Sequence, residues 1–288
     1  MQSYLVINLL IPGDPSQVSL VNSSGAWVLE KAPEFSRAKS AITGATSRRP
    51  QMLPVAETYF IETQSGPSSG TAASDRAFGE LTPILLAATY ATAMSVTIER
   101  SSPASEVSIV NASEHWPRAR ALDRPSFVVS SPADFQHLVE AFLRAWPTAG
   151  QDEKSLLLVH HWLDALGCWS MEDLYLSATT LLQIIVATEA TKQGKPDLPF
   201  YAGLADAAVR MRLQPLGQDF KDMRNELVHD GRLIGKRFKG PDKLACAEVV
   251  SDVLNWFDDY FHAALNLGPV VRKRFTGTDF VSLNAYSI

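Results

Sequence analysis

Three side chains with complementary chemistry lie within one short stretch of the sequence, Arg224, Asn225 and His229. An imidazole titrates near neutral pH and can therefore take or give a proton during a reaction. A guanidinium is permanently charged, and its fork of N–H donors suits an oxyanion such as phosphate. An amide can orient the imidazole or bond an anion oxygen. By spacing alone, an Arg…His pair at the C-terminal end of a helix has a structural role more often than a catalytic one, because the helix dipole favours cations there.

A helix that begins near Gly217 and ends at Gly231 is predicted to carry these side chains. One side of this helix is apolar and is expected to face a core, at about 100° per residue: Phe220, Met223 and Leu227. Asn225 and His229 are four residues apart, so their side chains can touch. Arg224 lies well around the helix from His229, and Gly231 suits the left-handed residue that ends many helices.

The pattern Arg-Asn-x-x-x-His followed by Asp-Gly resembles the signature of the HEPN superfamily, and its wording is most similar to the Apea-like branch. Two earlier stretches match the same superfamily. His161–Leu166 resembles its aromatic-bearing first helix, and Ala187–Ala190 resembles its glutamate-containing second helix. The resemblance covers roughly residues 130 to 268.

This resemblance implies a metal-independent endoribonuclease that needs no cofactor. His229 is expected to take the proton of an RNA 2′-hydroxyl, and Arg224 to hold the charge that develops on the phosphate, giving a 2′,3′-cyclic phosphate. In the family, two copies of the motif meet across a homodimer to form one composite site. Family members often act as toxins or in defence against phage. A cytoplasmic homodimer that cleaves RNA is therefore the leading hypothesis.

Several further residues are candidates for supporting roles. Glu189 lies on an apolar helix, where a charge is costly unless it is paired, and either proximity to Arg224 or a structural salt bridge to that arginine would explain it. Asp222 is a second supporting candidate, although it and Asp230 suit solvated or capping roles. Four basic residues after the motif are candidates for contacts with the RNA backbone or for a solvated loop: Arg232, Lys236, Arg237 and Lys239.

Two other readings belong to different functional classes. The helical half could be a non-catalytic HEPN-like module for dimerisation and for binding a ligand or nucleic acid, because the helix would fold without the trio. A serine hydrolase is suggested by Gly66-Pro67-Ser68-Ser69-Gly70, which fits the G-x-S-x-G pattern. A nucleophile elbow needs a sharp strand-to-helix turn, however, and this Ser-rich stretch is more typical of a loop.

The composition of the 288-residue chain, 46% hydrophobic with a net charge of −5, predicts about two domains and no global attraction to nucleic acid. Cys168 and Cys246 are far apart without His or Cys neighbours, which indicates neither a disulfide framework nor a zinc site. No metal is therefore expected. The apolar run at residues 5–11 is too short for a leader, and no later run is expected to span a bilayer. These features favour a cytoplasmic protein.

The pattern of elements predicts an α+β protein with two domains. Residues 1–130 alternate short β-branched runs with turns, which indicates a β-rich domain with one helix near 78–94. The resemblance of the other half to HEPN toxins and defence proteins implies that this domain serves as a sensor or targeting module. Two mobile loops are predicted, 36–54 and 64–74. A strand is predicted at residues 126–129.

Residues 131–288 show helical periodicity and predict an all-α antiparallel bundle with an irregular tail after residue 271. The resemblance implies that this bundle is HEPN-like. The predicted helices of this half are 132–146, stopped by Pro147, then 152–166, 171–192, 200–213, the motif helix and a last helix that ends near Gly268.

Overall fold

The computed structural model describes residues 2–22, 25–45, 57–63, 71–103, 108–109 and 126–288. The protein is α+β, with an antiparallel sheet in its N-terminal part and a helical C-terminal part. It divides into two compact units, residues 1–147 and 148–288. The division falls at residue 147, inside a helix, rather than at the change of sequence pattern near residue 130.

The N-terminal unit contains a six-stranded antiparallel sheet with the strand order β2-β3-β4-β1-β5-β6. Its strands are β1 (Gln2–Ile7), β2 (Gln17–Asn22), β3 (Gly25–Lys31), β4 (Glu57–Thr63), β5 (Thr97–Pro103) and β6 (Ser108–Ile109). Tyr4, Leu5, Val6 and Ile7 are all buried along β1. Successive side chains of a strand point to opposite faces, so both faces of the sheet are covered at β1.

One of the two predicted mobile loops contains a helix. Residues 36–54 are rich in Ser, Thr, Gly and Arg, yet α1 spans Phe35–Ala45. Phe35, Ala38 and Ile42 are buried on this helix, at the spacing of one helical face. The loop prediction is wrong for residues 36–45 because this apolar spacing outweighs the polar composition. The other part of that loop, residues 46–54, lies outside the described residues.

The second helix, α2, spans Thr71–Thr92 and is longer than the predicted 78–94 at its N-terminal side. Residues 71–74 therefore belong to a helix and not to the second predicted loop. The strand predicted at 126–129 is also absent: those described residues form no strand. Instead, Val128 donates a backbone hydrogen bond of 3.1 Å to the carbonyl of Ala91 on α2.

The third helix, α3, spans Pro132–Asp152 and continues through Pro147, where it was predicted to stop. Proline lacks the N–H of the helical ladder but can be accommodated in a helix at the cost of one hydrogen bond. Within the N-terminal unit, the Glu140 carboxylate accepts a hydrogen bond of 3.1 Å from the backbone of Val21 on β2. The start of α3 is as predicted, because Ser131 Oγ accepts from the Asp134 N–H at 3.1 Å.

The C-terminal unit is built from helices whose positions are close to the predicted ones. They are α4 (Ser155–Leu166), α5 (Met171–Lys192), α6 (Phe200–Met211), α7 (Gln218–Asp230), α8 (Lys243–Ala264) and the short α9 (Gly277–Phe280). Ser170 caps α5 by accepting from the Asp173 N–H at 3.1 Å, and Asp242 caps α8 by accepting from the Ala245 N–H at 3.1 Å. Local capping chemistry therefore fixes these helix starts.

Helix α5 is largely buried in the C-terminal unit. It is long and apolar enough to span a membrane by length and composition, but 61% of its most apolar window is buried inside the protein. Gly203 lets α6 approach it closely, because a Cβ at that glycine would lie 2.6 Å from Cγ1 of Val186. The burial of α5 accounts for its apolar composition.

The tail after residue 271 is irregular except for α9, and it is anchored on the N-terminal end of α5. The Glu172 carboxylate accepts hydrogen bonds from the backbone N–H groups of Tyr286 and Ser287 at 2.7 and 2.9 Å, and from the Ser287 hydroxyl at 2.7 Å. These bonds outweigh the effect of burial and lower the pKa of Glu172. The tail is thus an ordered part of the C-terminal unit.

Candidate functional site

Helix α7 has the geometry that its sequence predicts. Phe220, Met223 and Leu227 are buried, and the helix ends at Gly231, which has a φ of 67°. A left-handed glycine at this position closes the last turn and lets the chain leave the helix. The motif side chains are consequently displayed on the faces of α7 that the apolar stripe leaves open.

The guanidinium of Arg224 is held against aromatic side chains at the start of α6. Its Cζ lies 4.1 Å from the ring centroid of Phe200 and 5.6 Å from that of Tyr201. Its Nη1 donates to the Tyr201 hydroxyl at 3.4 Å, and its Nε is shut off from solvent without a hydrogen-bond partner among the described residues. A guanidinium stacked on aromatic faces is restricted in orientation. Arg224 is therefore a fixed and partly buried cation.

Asn225 is oriented by the same tyrosine. The Tyr201 hydroxyl donates to Asn225 Oδ1 at 3.0 Å, and it also lies 3.4 Å from the backbone oxygen of Lys221. Within the described part of the chain, the Asn225 side chain makes no hydrogen bond with the His229 side chain, although their spacing allows contact. Tyr201 thus brings Arg224 and Asn225 together and leaves the histidine apart.

His229 is exposed on the last turn of α7, and its side chain has no hydrogen bond or ion pair with any described residue. Arg224 and His229 are separated by about 140° around the helix axis and by about 7.5 Å along it. Arg224 turns toward α6, whereas His229 extends from the end of its own helix. A single chain therefore presents the two groups in different directions.

Glu189 has Arg210 as its partner and not Arg224, in contrast to the prediction. Its buried carboxylate accepts from Arg210 Nε at 2.6 Å and from Gln193 at 3.3 Å, and Arg210 also donates to the buried Glu153 at 3.0 Å. Burial lowers the pKa of Arg210, but the hydrogen bonds to the two carboxylates raise it above its ordinary value overall. Glu189 is therefore part of a structural ion-pair network at the other end of α6.

The predicted basic stretch folds over a buried carboxylate. Glu226 is fully buried and lies 3.6 Å from Arg232 Nε, while its other oxygen accepts from the backbone N–H of Arg237. The Arg237 side chain donates to Asp230 at 2.7 Å, which lowers the pKa of that carboxyl group. Lys236 and Lys239 are exposed. The two arginines of this stretch thus have acidic partners within the chain, and the two lysines project into solvent.

The remaining candidates lie outside the motif cluster. Asp222 accepts from Gln218 at 2.8 Å on the surface of α7. Cys168 lies 3.5 Å from the Ser177 hydroxyl, and burial raises the pKa of its thiol. Ser68 is outside the described residues, so the hydrolase reading stays untested. No group of three metal-ligating side chains is found among the described residues.

Two cavities lie at the N-terminal end of α7. The smaller, of about 160 Å³, is lined by Tyr201, Phe220 and Lys221 together with apolar residues. The larger, of about 550 Å³, lies between α7, the basic stretch and α8, and both acidic and basic side chains line it: Asp219, Glu248, Asp252, Arg237 and Lys239. Leu216, Gly217, Gln218 and Phe220 line both cavities. Tyr201 thus lines the smaller cavity and also contacts the motif arginine Arg224.

Sequence reasoning missed Phe200 and Tyr201, which contact the motif from the start of α6. Their only local signal is an aromatic pair directly after Pro199 at a helix start. Nothing in that signal indicates that α6 packs beside α7, because the contact spans more than twenty residues of chain.

No protein-family profile, curated protein or solved structure matches this chain significantly. The resemblance to the HEPN superfamily therefore rests on the motif and on the two helical stretches that precede it.

Proposed function

We propose that this protein is a metal-independent endoribonuclease of HEPN type, similar to the Apea-like branch, and that its C-terminal helices form a HEPN-like bundle. The observation that carries the proposal is the exposed, unpartnered imidazole of His229 on the same helix as the fixed cation of Arg224. A proton carrier open to solvent and a permanently charged oxyanion binder are the two groups that metal-free RNA cleavage requires.

In the proposed reaction, His229 takes the proton of a ribose 2′-hydroxyl while the 2′-oxygen attacks the adjacent phosphorus. The bond from phosphorus to the 5′-oxygen of the next nucleotide breaks, that oxygen receives a proton from solvent, and the protonated imidazole of His229 releases its proton to solvent. The products are a 2′,3′-cyclic phosphate and a 5′-hydroxyl. Arg224 stabilises the negative charge on the phosphate oxygens during this exchange.

Because Arg224 and His229 diverge on one helix, we propose that two copies of the chain form one composite site. The histidine of one copy would work beside the arginine of the other. Toxicity or defence against phage would suit such an enzyme, with the N-terminal unit as its sensor or targeting module. The protein would act on RNA in the cytoplasm as a homodimer, without a metal or cofactor.

A non-catalytic HEPN-like module for dimerisation and for binding a ligand or nucleic acid is the alternative. It is favoured by the contacts that Arg224 already makes within its own chain, since stacking on Phe200 and bonding to Tyr201 give it a structural role. The pairing of Arg232 and Arg237 with acidic residues of the same chain also favours this alternative.

The test is cleavage of a mixed RNA pool in the presence of a chelator. Wild type is expected to generate cyclic-phosphate ends, and His229→Ala and Arg224→Ala are each expected to abolish them. His137→Ala, which removes another exposed histidine, and Lys195→Ala, which removes another exposed cation, serve as matched controls and should cleave normally. Cleavage that survives His229→Ala would overturn the proposed mechanism, and folded wild type that binds RNA without cleaving it would favour the alternative.

A further inference from the structure

The hydroxyl of Tyr201 links two motif side chains in a chain of hydrogen bonds with a definite direction. A guanidinium can only donate, so Arg224 Nη1 donates to the hydroxyl oxygen across 3.4 Å. The hydroxyl has one proton to donate, and Asn225 Oδ1 at 3.0 Å is closer than the Lys221 carbonyl at 3.4 Å. The proton therefore goes to Asn225, and the order is Arg224 to Tyr201 to Asn225.

This order decides which atoms of the motif remain available to a ligand. Arg224 Nη1 donates to the Tyr201 hydroxyl, and Arg224 Nε is shut away from solvent. Nη2 is therefore the nitrogen of this side chain that remains available to a ligand. Asn225 has its oxygen on Tyr201, which leaves the Nδ2 amide group as a second donor. Within the described residues neither of these two nitrogens has a hydrogen-bond partner. The two consecutive residues thus present N–H donors only.

A pair of N–H donors with one permanent charge matches an oxyanion and repels no part of it. The alternative role of Asn225, orienting the imidazole of His229, does not occur between these two described residues, because no hydrogen bond joins their side chains. Tyr201 itself is held by ring contacts, since its ring centroid lies 5.2 Å from that of Phe200 and 6.2 Å from that of Phe220. Its hydroxyl is therefore fixed by packing that does not depend on the motif.

We propose that Tyr201 is a positioning residue that turns Arg224 and Asn225 into a two-donor binding site for a phosphodiester oxyanion. The identity of the ligand as RNA phosphate rests on the proposed function, whereas the donor arrangement rests on the contacts of Tyr201. In this site Asn225 contacts the phosphate, whereas Tyr201 contacts the two motif side chains and not the phosphate.

The test compares Tyr201→Phe with Tyr175→Phe as a matched control. Phenylalanine keeps the ring contacts at position 201 and removes only the hydroxyl. Tyr175 lies in the same aromatic cluster, and its hydroxyl donates to the Phe220 carbonyl of α7 at 2.7 Å. This hydroxyl also bonds to the backbone of Arg224, but it has no hydrogen bond with the Arg224 or Asn225 side chain. The probe is a fluorescent 2′-O-methyl RNA oligonucleotide, which binds through its phosphates but lacks the attacking hydroxyl, and its affinity is measured by anisotropy.

Tyr201→Phe is expected to bind the oligonucleotide roughly 10-fold more weakly than wild type, as for the loss of a hydrogen bond to a charged group. Tyr175→Phe should bind like wild type. In an Arg224→Ala/Asn225→Ala background, Tyr201→Phe should cause no further loss, because a positioning residue acts only through the groups it positions. Unchanged binding by Tyr201→Phe, an equal loss in the Arg224→Ala/Asn225→Ala background, or a wild-type protein that does not bind the probe would each overturn the proposal.

Cleavage assays separate this inference from the proposed function. The pH profile of cleavage by Tyr201→Phe is expected to keep its shape while the rate falls, since Tyr201 does not contact the proton carrier His229. If wild type binds the oligonucleotide through Tyr201 and Arg224 but cleaves no RNA, the enzyme proposal fails and the oxyanion site stands. If wild type cleaves RNA and Tyr201→Phe binds and cleaves normally, the enzyme proposal stands and the positioning role fails.

Discussion

The guanidinium of Arg224 lies 4.1 Å from the ring centroid of Phe200, so the motif arginine is stacked on an aromatic ring of the neighbouring helix. Stacking leaves the edge of a guanidinium free to donate hydrogen bonds while its face is covered. The arginine is thereby held in one orientation before any ligand arrives. A cation organised in this way loses less conformational entropy on binding than one at the end of a free side chain.

Replacing Phe200 should weaken oxyanion binding through Arg224 while the fold persists. Phe200→Leu removes the aromatic face but keeps an apolar side chain, and the lost cation–π contact is expected to cost about 1 kcal/mol. Binding of a 2′-O-methyl RNA oligonucleotide should weaken accordingly, whereas the thermal midpoint changes little. Leu204→Met on the same helix serves as a volume-conserving control. Binding unchanged in Phe200→Leu would show that the stack does not organise the arginine.

Mixing two inactive variants should restore RNA cleavage if the site is composite. A dimer of one His229→Ala chain and one Arg224→Ala chain contains one site that combines the intact histidine with the intact arginine. Activity should recover after the two variants are mixed and allowed to exchange subunits, but not after mixing two preparations of the same variant. The measurement is the yield of cyclic-phosphate ends. A mixture as inactive as its components would contradict a site shared between chains.

Removing Arg210 should destabilise the C-terminal unit strongly. Glu189 and Glu153 are 4% exposed each, and both pair with Arg210, while Glu153 also pairs with Lys192. Arg210→Met would leave a buried carboxylate without its cation, at a cost of roughly 3–5 kcal/mol in the free energy of unfolding. Lys195 is an exposed cation just after the C-terminal end of α5, where Glu189 lies. Lys195→Ala should change the free energy of unfolding by less than about 0.5 kcal/mol.

Urea unfolding followed by circular dichroism measures both variants. Adding Glu189→Gln to Arg210→Met should recover part of the loss, because the substitution removes the uncompensated charge. An Arg210→Met protein as stable as the Lys195→Ala protein would mean that the buried network contributes nothing to stability.

Gly235 is expected to tolerate no side chain, because its backbone lies against the buried carboxylate of Glu226. A Cβ at Gly235 would lie 2.2 Å from Glu226 Oε2, and this carboxylate has no room to move since it is fully buried and bonded to the Arg237 backbone. Gly235→Ala should cost about 1–3 kcal/mol. Gly217→Ala is the control, as nothing lies within 4 Å of its added Cβ. Equal unfolding midpoints for the two variants would contradict this packing.

Stability of the C-terminal unit should fall as the pH drops from about 6.5 to about 4, because of His262. Burial lowers the pKa of His262 from 6.5 to about 4, and its Nδ1 lies 2.9 Å from the carbonyl oxygen of Gly268. Between these pH values the unfolded chain binds a proton that the folded chain excludes, so the stabilisation present above pH 6.5 is lost on acidification. The loss from this group is at most about 3.4 kcal/mol.

Urea unfolding at several pH values in this range, for wild type and His262→Asn, measures the contribution. The asparagine amide can keep a hydrogen bond to Gly268 but does not titrate, so the variant should lose less stability on acidification than wild type. Parallel losses in the two proteins would assign the pH dependence to other groups.

The bounds of α7 and the residues that it displays were predictable from the sequence, because they depend on local chemistry. The apolar stripe of Phe220, Met223 and Leu227 set its buried side, and Gly231 set its end. The caps at Ser170 and Asp242 were predictable for the same reason: a capping side chain bonds to an N–H group only a few residues away.

The surroundings of the motif could not be predicted without the packing of the helices. Tyr201 contacts Arg224 across 23 residues of chain, and Glu189 pairs with Arg210 across 21. Such contacts depend on how helices pack, and a one-turn change in packing would bring other side chains together. Local sequence thus fixes which chemical groups α7 carries, whereas packing against α6 orients the arginine and the amide and leaves the imidazole without a partner among the described residues.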